Sequence, residues 1–175
     1  NWKFDGDAKG NYQEDQYNSE GQVIGVTQTP YNYALDGLFV GDQPQTSYVL
    51  GATLTPIKGL RLQGIFKMYE KNYADWSPAA REYDGSDADA DRAQVWEAPG
   101  YNRLDLHGSY KLPKIGGLDM SITGHVFNAL DALYVQDAVD NSPYNGFGDK
   151  LHLPHNAEVF LGTPRYANIG LTVNF

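Results

Sequence analysis

Three groups of side chains in this 175-residue chain carry types and spacings that could do chemistry. The densest is the acidic run Asp84-Gly85-Ser86-Asp87-Ala88-Asp89-Ala90-Asp91. Calcium takes several carboxylate oxygens, and Asp87-x-Asp89-x-Asp91 matches the first three ligand positions of an EF-hand loop. That loop's turn glycine is missing, because Arg92 follows Asp91, and no acid stands at its last ligand position. A solvated surface loop is therefore expected, with no metal. The second group, His152-Leu153-Pro154-His155, offers two imidazoles. Pro154 forbids the helix that would place both on one face, so no metal site is expected here either. The third is Asp105 with His125, which alternation places inward on neighbouring strands. A hairpin centred on Ile115 would set them opposite each other as an ion pair. A catalytic dyad would need a nucleophile that the sequence does not offer, so no catalytic residue, enzymatic activity or cofactor is expected.

Aromatic residues crowd the polar stretches: Trp76, Tyr83, Trp96, Tyr101, Tyr144, Phe147 and Phe160. Amphipathic rings on loops are common capture elements, and Trp76, Tyr83, Trp96, Tyr101, Tyr144 and Phe147 are the substrate-binding candidates. The plainer reading is that one loop packs on another. Asn128 and Asp131 have the side chains of turn formers and are expected to shape a turn or bulge where a strand ends.

These residues must be held by strands. The segments from Ser47 to Thr55, Leu60 to Tyr69, Arg103 to Leu112, Leu118 to Val126 and Tyr166 to Phe175 alternate apolar and polar residues, the two-residue period of a sheet. Trp2 to Asp7 reads as the end of an earlier strand, making about six in all. Tight turns at Pro56-Ile57-Lys58-Gly59 and Pro113-Lys114-Ile115-Gly116-Gly117 alternate with long polar stretches, roughly Gly10 to Asp36, Ser77 to Pro99 and Asp140 to Pro164. Short and long connections in alternation are the rhythm of an outer-membrane barrel, with turns at the periplasmic rim and loops outside. The apolar set (Leu60, Leu62, Phe66, Leu104, Leu106, Ile122 and Leu171) would face lipid. Arg61, Lys67, Arg103, Asp105, Lys111 and His125 would face the lumen. The same alternation also fits a soluble sheet with one wet face.

Composition sets limits. A net charge of −9 argues against nucleic-acid binding, and the absence of cysteine removes disulfides and thiolate sites. A mean hydropathy of −0.51 comes with no apolar run long enough for a membrane helix, which leaves barrels untouched. The class is all-β. The first residue is not Met and no signal peptide is evident, as in a piece of a processed or longer protein.

Read in order, several segments resemble the C-terminal end of a TonB-dependent outer-membrane receptor. They are Val40-Gly41-Asp42-Gln43-Pro44-Gln45-Thr46, Lys58-Gly59-Leu60, Tyr73-Ala74-Asp75 and Pro99-Gly100-Tyr101-Asn102-Arg103-Leu104-Asp105-Leu106. Val126-Phe127-Asn128-Ala129-Leu130-Asp131-Ala132-Leu133-Tyr134 resembles a family box, with Ala129 where the family has Leu. Gly162-Thr163-Pro164-Arg165 leads into the last strand in the family's manner. The ending Asn168-x-Gly170-x-x-Val173-x-Phe175 resembles the signal read by the barrel-assembly machinery. The resemblance covers about residue 38 onward. It implies the last six or so strands of a 22-stranded barrel in the outer membrane of a Gram-negative bacterium, incomplete on its own, with the plug domain and TonB box absent from this chain. It further implies import of a ferric chelate, corrinoid or glycan. The expected partners are outer-membrane lipid, the rest of the barrel and its plug, the TonB complex, the assembly machinery and a surface lipoprotein. A passive porin or adhesin barrel, or a soluble all-β binding domain, are the rival expectations. The strand from Tyr166 should pair on one side with Leu118–Val126.

Overall fold

The computed structural model describes residues 2–114, 116–142 and 151–174. Tyr144, Phe147 and Phe175 lie outside the described residues. In chain order the strands are β1 (Ala8–Tyr17), β2 (Val23–Tyr33), β3 (Pro44–Leu54), β4 (Leu60–Tyr73), β5 (Glu97–Ala98), β6 (Tyr101–Lys111), β7 (Asp119–Phe127), β8 (Val135–Asp140), β9 (Ala157–Leu161) and β10 (Tyr166–Asn174). Short 3-10 turns at Pro78–Arg81 and Pro154–Asn156 are the only helical elements among the described residues. The all-β expectation holds.

The chain divides into two compact units, Asn1–Gln43 with Tyr73–Glu97 and Ala138–Glu158, and Pro44–Asn72 with Ala98–Asp137 and Val159–Phe175. The second unit is built on one sheet in the order β10-β7-β6-β4-β3, every pairing antiparallel, with β5 added beside β4. Consecutive long strands are neighbours, so this is a meander. It is open, since β3 and β10 each have one neighbour among the described residues. The expected pairing of the last strand is present, with Ile169 opposite Gly124 and Leu171 opposite Ile122.

The register sorts side chains cleanly. Leu54, Leu62, Gly108, Gly124 and Ile169 form one cross-strand row, and Ala52, Gly64, Leu106, Val126 and Ala167 form the next. Leu60, Leu62, Phe66, Leu104, Leu106, Ile122 and Leu171 all fall on this face. On the opposite face the row Thr53, Gln63, His107, His125 and Asn168 is polar throughout, and Lys67, Arg103 and Asp105 share that face with Val49, Ile65 and Phe127. Among the described residues of this unit only Ala98 and Tyr134 are buried apolar residues, whereas Leu50 is 70% exposed, Leu54 65% and Ile169 83%. A folded sheet normally hides such a face, and nothing described in this unit covers it.

The first unit has a conventional core of Ala34, Leu35, Leu38, Trp76, Tyr83 and Val95. The long polar stretch from Gly10 to Asp36 largely forms the antiparallel ribbon β1–β2, two strands not expected from the sequence, with ten residue pairs from Ala8↔Tyr33 to Tyr17↔Val23. Trp2 to Asp7 form no strand, and Lys3 makes a single bridge to Phe39. Among the described residues, five long strands therefore make the meander, where about six were expected. β8 and β9 pair with each other as a separate two-stranded ribbon.

Candidate functional site

In the first unit the acidic run is spent on separate tasks. Asp84 Oδ1 accepts from the Ser86 amide at 2.6 Å, Asp87 lies 3.3 Å from Arg92, and Asp91 turns inward to Arg81 at 2.9 Å. Among the described residues no three His, Asp or Glu side chains converge as a metal would require. Arg92 instead reaches Asp7 with both terminal nitrogens, at 2.7 and 2.8 Å. The Asp7 carboxylate also accepts from the Leu35 and Asp36 amides and from the Tyr83 hydroxyl. The Arg92 hydrogen bonds, against the opposing pull of desolvation, hold the Asp7 carboxyl well below the usual carboxylate range.

Asp91 belongs to a buried cluster. His152 sits between two carboxylates, with Nδ1 at 2.6 Å from Asp140 Oδ2 and Nε2 at 2.9 Å from Asp91 Oδ2. Its side chain is 2% exposed, and Arg81, at 1%, closes the other side of Asp91. Burial pushes the imidazole's pKa down, but the bonds from Asp140 and Asp91 outweigh it and raise the value to about 9. The ring is therefore an imidazolium donating from both nitrogens. A histidine with both nitrogens so committed ligates no metal. It is also no general base: Ser142 Oγ donates to Asp140 at 2.6 Å rather than to the imidazole. Two cations and two carboxylates balance, and they join segments far apart in sequence.

The loop aromatics answer to packing. Trp76 is 8% exposed, its Nε1–H donates to the Phe39 carbonyl at 3.2 Å, and Phe4 meets it edge-on at 5.5 Å. Tyr83 is equally buried, with its hydroxyl on Asp7. Both rings are part of the core of this unit. Trp96 is half-buried and its carbonyl accepts from the Ala74 amide. In the second unit Tyr101 stacks on Tyr134 at 4.2 Å and meets Tyr69 at a tilt, at 5.0 Å. Tyr144 and Phe147 are outside the described residues.

The polar face of the meander is the second candidate region. Asp105 is 2% exposed, yet it does not meet His125. The β6–β7 hairpin is centred on Gly116, not Ile115, with Gly116 and Gly117 both at positive φ to make the turn, so His107 stands opposite His125. Asp105 takes Lys67 at 2.9 Å, Arg103 at 3.6 Å and the Asn128 amide at 3.0 Å. Asn128 in turn closes the family-like box. At a φ of 49° its side-chain oxygen accepts from the Ala132 amide, and its Nδ2 donates to the Ala132 and Thr163 carbonyls. Asp131, at a φ of 54°, donates its amide to the Asn128 carbonyl at 2.8 Å, so both residues form the turn, and its carboxylate accepts from the Arg165 amide at 3.1 Å. Gly162 lies so close beneath the Tyr134 ring that any Cβ there would collide with it.

Sequence reasoning missed His107. Its Nδ1 is 2.8 Å from Nδ1 of His125, and both line a concavity of about 660 Å³ with Arg61, Gln63, Thr123 and Asn168. The signal was available as alternation alone, since His107 shares its face with Asp105. In the last strand Asn168 and Gly170 lie on the polar face and Val173 on the apolar one, opposite Met120. Compared with family models, curated proteins and solved structures, the chain matches none.

Proposed function

We propose that this chain forms wall and surface loops of a TonB-dependent outer-membrane transporter that actively imports a scarce nutrient of the ferric-chelate, corrinoid or glycan class. The observation that supports it is the two-faced meander. One face is apolar and uncovered across five strands, and the other carries Arg61, Lys67, Arg103, Asp105, His107 and His125. Lipid would cover the first and an aqueous lumen the second, which is how a barrel wall divides its side chains. The connections fit that arrangement, with tight turns joining β3 to β4 and β6 to β7, and long segments joining β4 to β6 and β7 to β10. The open edges of β3 and β10 would pair with the remainder of the barrel, because unpaired backbone groups are not tolerated in hydrocarbon. Loops and plug would bind the ligand, and TonB would open the path.

The test is uptake in cells producing the intact protein, using a radiolabelled ferric chelate, a corrinoid and an oligosaccharide in turn. Accumulation of one of them should vanish when TonB is deleted or the proton gradient is collapsed. Uptake indifferent to both would favour a passive barrel, and recovery of the protein without detergent would remove the membrane altogether.

A further inference from the structure

The His107–His125 contact has the geometry of a shared proton. Its two Nδ1 atoms are 2.8 Å apart with ring centroids at 5.0 Å, close to that contact plus two ring radii, so the nitrogens face each other head-on. A common metal would need the two lone pairs to converge on a point off that line. One ring therefore donates through Nδ1–H and the other accepts, which makes them opposite tautomers. The donor's Nε2 is then bare. It can take one proton with the contact intact, now charge-assisted, while a second proton would break it.

The surroundings are cationic on one side and lack a free acid. Arg61, diagonal to His107 across β4 and β6, has no ion-pair partner among the described residues. On the same face, the Asp105 of β6 is committed to Lys67 and Arg103, while the Asp119 of β7 lies 3.8 Å from Lys111 and 3.2 Å from Lys114. From β10 the groups facing the pair are Asn168, Gly170 and Thr172, with Tyr166 stacked on Phe127 at 4.7 Å. β3 brings Thr53, which accepts from Gln63 at 3.2 Å. The concavity so lined holds hydrogen-bond donors and no carboxylate, in a chain whose net charge is −9.

From this we infer that the concavity between Arg61 and the His107–His125 pair is a proton-linked subsite for an oxyanion group: a carboxylate, phosphate or sulfate. Arg61 supplies a fixed charge and a planar donor fork. The imidazole pair supplies a second charge when it takes its one proton. No bond is made or broken except to that proton, which arrives from water as the anion binds. The anionic group comes either from a solute in the lumen or from an acidic side chain elsewhere in the intact protein. The inference rests on the reading of this face as the aqueous one.

Histidine-labelled intact protein in detergent tests it, with the pair's imidazole carbons followed by NMR from pH 5 to 8. Sulfate is the probe, because its charge is constant over that range, and chloride at equal ionic strength is the control. Sulfate should raise the midpoint of the pair's titration by about one pH unit over chloride, equivalent to about tenfold tighter binding to the protonated pair. Arg61→Gln should abolish that response. A midpoint that sulfate leaves unmoved, but that falls when an acidic residue outside this chain is neutralised, would assign the site to an internal carboxylate. A midpoint unmoved by either change overturns the proposal. Thr123→Cys and Ile122→Cys, introduced singly, separate this from failure of the underlying reading. If a water-soluble maleimide labels the Thr123→Cys protein and not the Ile122→Cys protein while sulfate has no effect, the subsite alone is wrong.

Discussion

The His152 cluster makes a sharp pH prediction for the first unit. The imidazole's value of about 9 in the folded protein lies above the ordinary 6.5, so the cluster's contribution is complete below pH 6.5. It declines as pH rises and is gone above about 9. At about 1.4 kcal/mol per pH unit, that difference amounts to about 3 kcal/mol. The Asp91 and Asp140 carboxyls move the other way. Burial opposes their ionisation, but the bonds from His152, with help from Arg81 on Asp91 and Ser142 on Asp140, hold them below their usual range. Their share is lost only in acid. The assay is trypsin cleavage after Arg81, a site 1% exposed while the cluster is closed. If cleavage follows the equilibrium population of the open form, its rate should rise about a hundredfold between pH 6.5 and 9, after normalisation to a reference peptide. His152→Gln should already cut fast at pH 7, since removing one partner of a buried ion pair costs about 3–5 kcal/mol. Wild-type protein with a flat cleavage profile up to pH 9, or a His152→Gln variant as resistant as wild type, would mean that the cluster does not hold this unit closed.

Three further outcomes follow from the second unit. Leu106→Arg should cost about 2–4 kcal/mol in urea unfolding from lipid vesicles, and His107→Arg much less, because only the former places a charge on the lipid face. Gly162→Ala should lower stability by about 1–3 kcal/mol, read by thermal unfolding, as the new methyl group displaces the Tyr134 ring from Tyr101. Deleting Phe175 should sharply reduce the heat-modifiable folded form in outer-membrane fractions, whereas Asn174→Asp should leave it near wild type.

What could be read from residues alone was what alternation carries. β3, β4, β6, β7 and β10 each have one apolar face, so their existence, facing and neighbours were legible, as were the Pro and Gly turns between them. The β1–β2 ribbon was not, because neither face is a continuous apolar stripe: Gln13 and Asp15 interrupt one, Glu14 and Gln16 the other, and the apolar residues of β2 fall on both. Without an apolar stripe a two-residue period leaves no trace. Register was the second gap. A hairpin centred on Gly116 rather than Ile115 replaces an Asp105–His125 pair with His107–His125, and no hydrophobicity pattern separates the two, since the faces are identical in both. The third gap was burial of charge. Asp91 looked like one of several solvated acids and His152 like half of a failed metal motif. Their meeting depends on segments some sixty residues apart, a contact that local pattern does not encode.

If β6 crosses a membrane as proposed, its even residues face lipid and its odd residues face the lumen. Because the chain has no cysteine, a nitroxide can be placed at each position from Arg103 to Ser109 in turn, with any cysteines elsewhere in the intact protein removed. Collision rates with oxygen and with a water-soluble nickel chelate are then measured in outer membranes. The expected outcome is a two-residue period, with oxygen high at 104, 106 and 108 and the nickel chelate high at 103, 107 and 109, while 105 is shielded by Lys67 and Arg103. Equal access of the nickel chelate to both sets would contradict it.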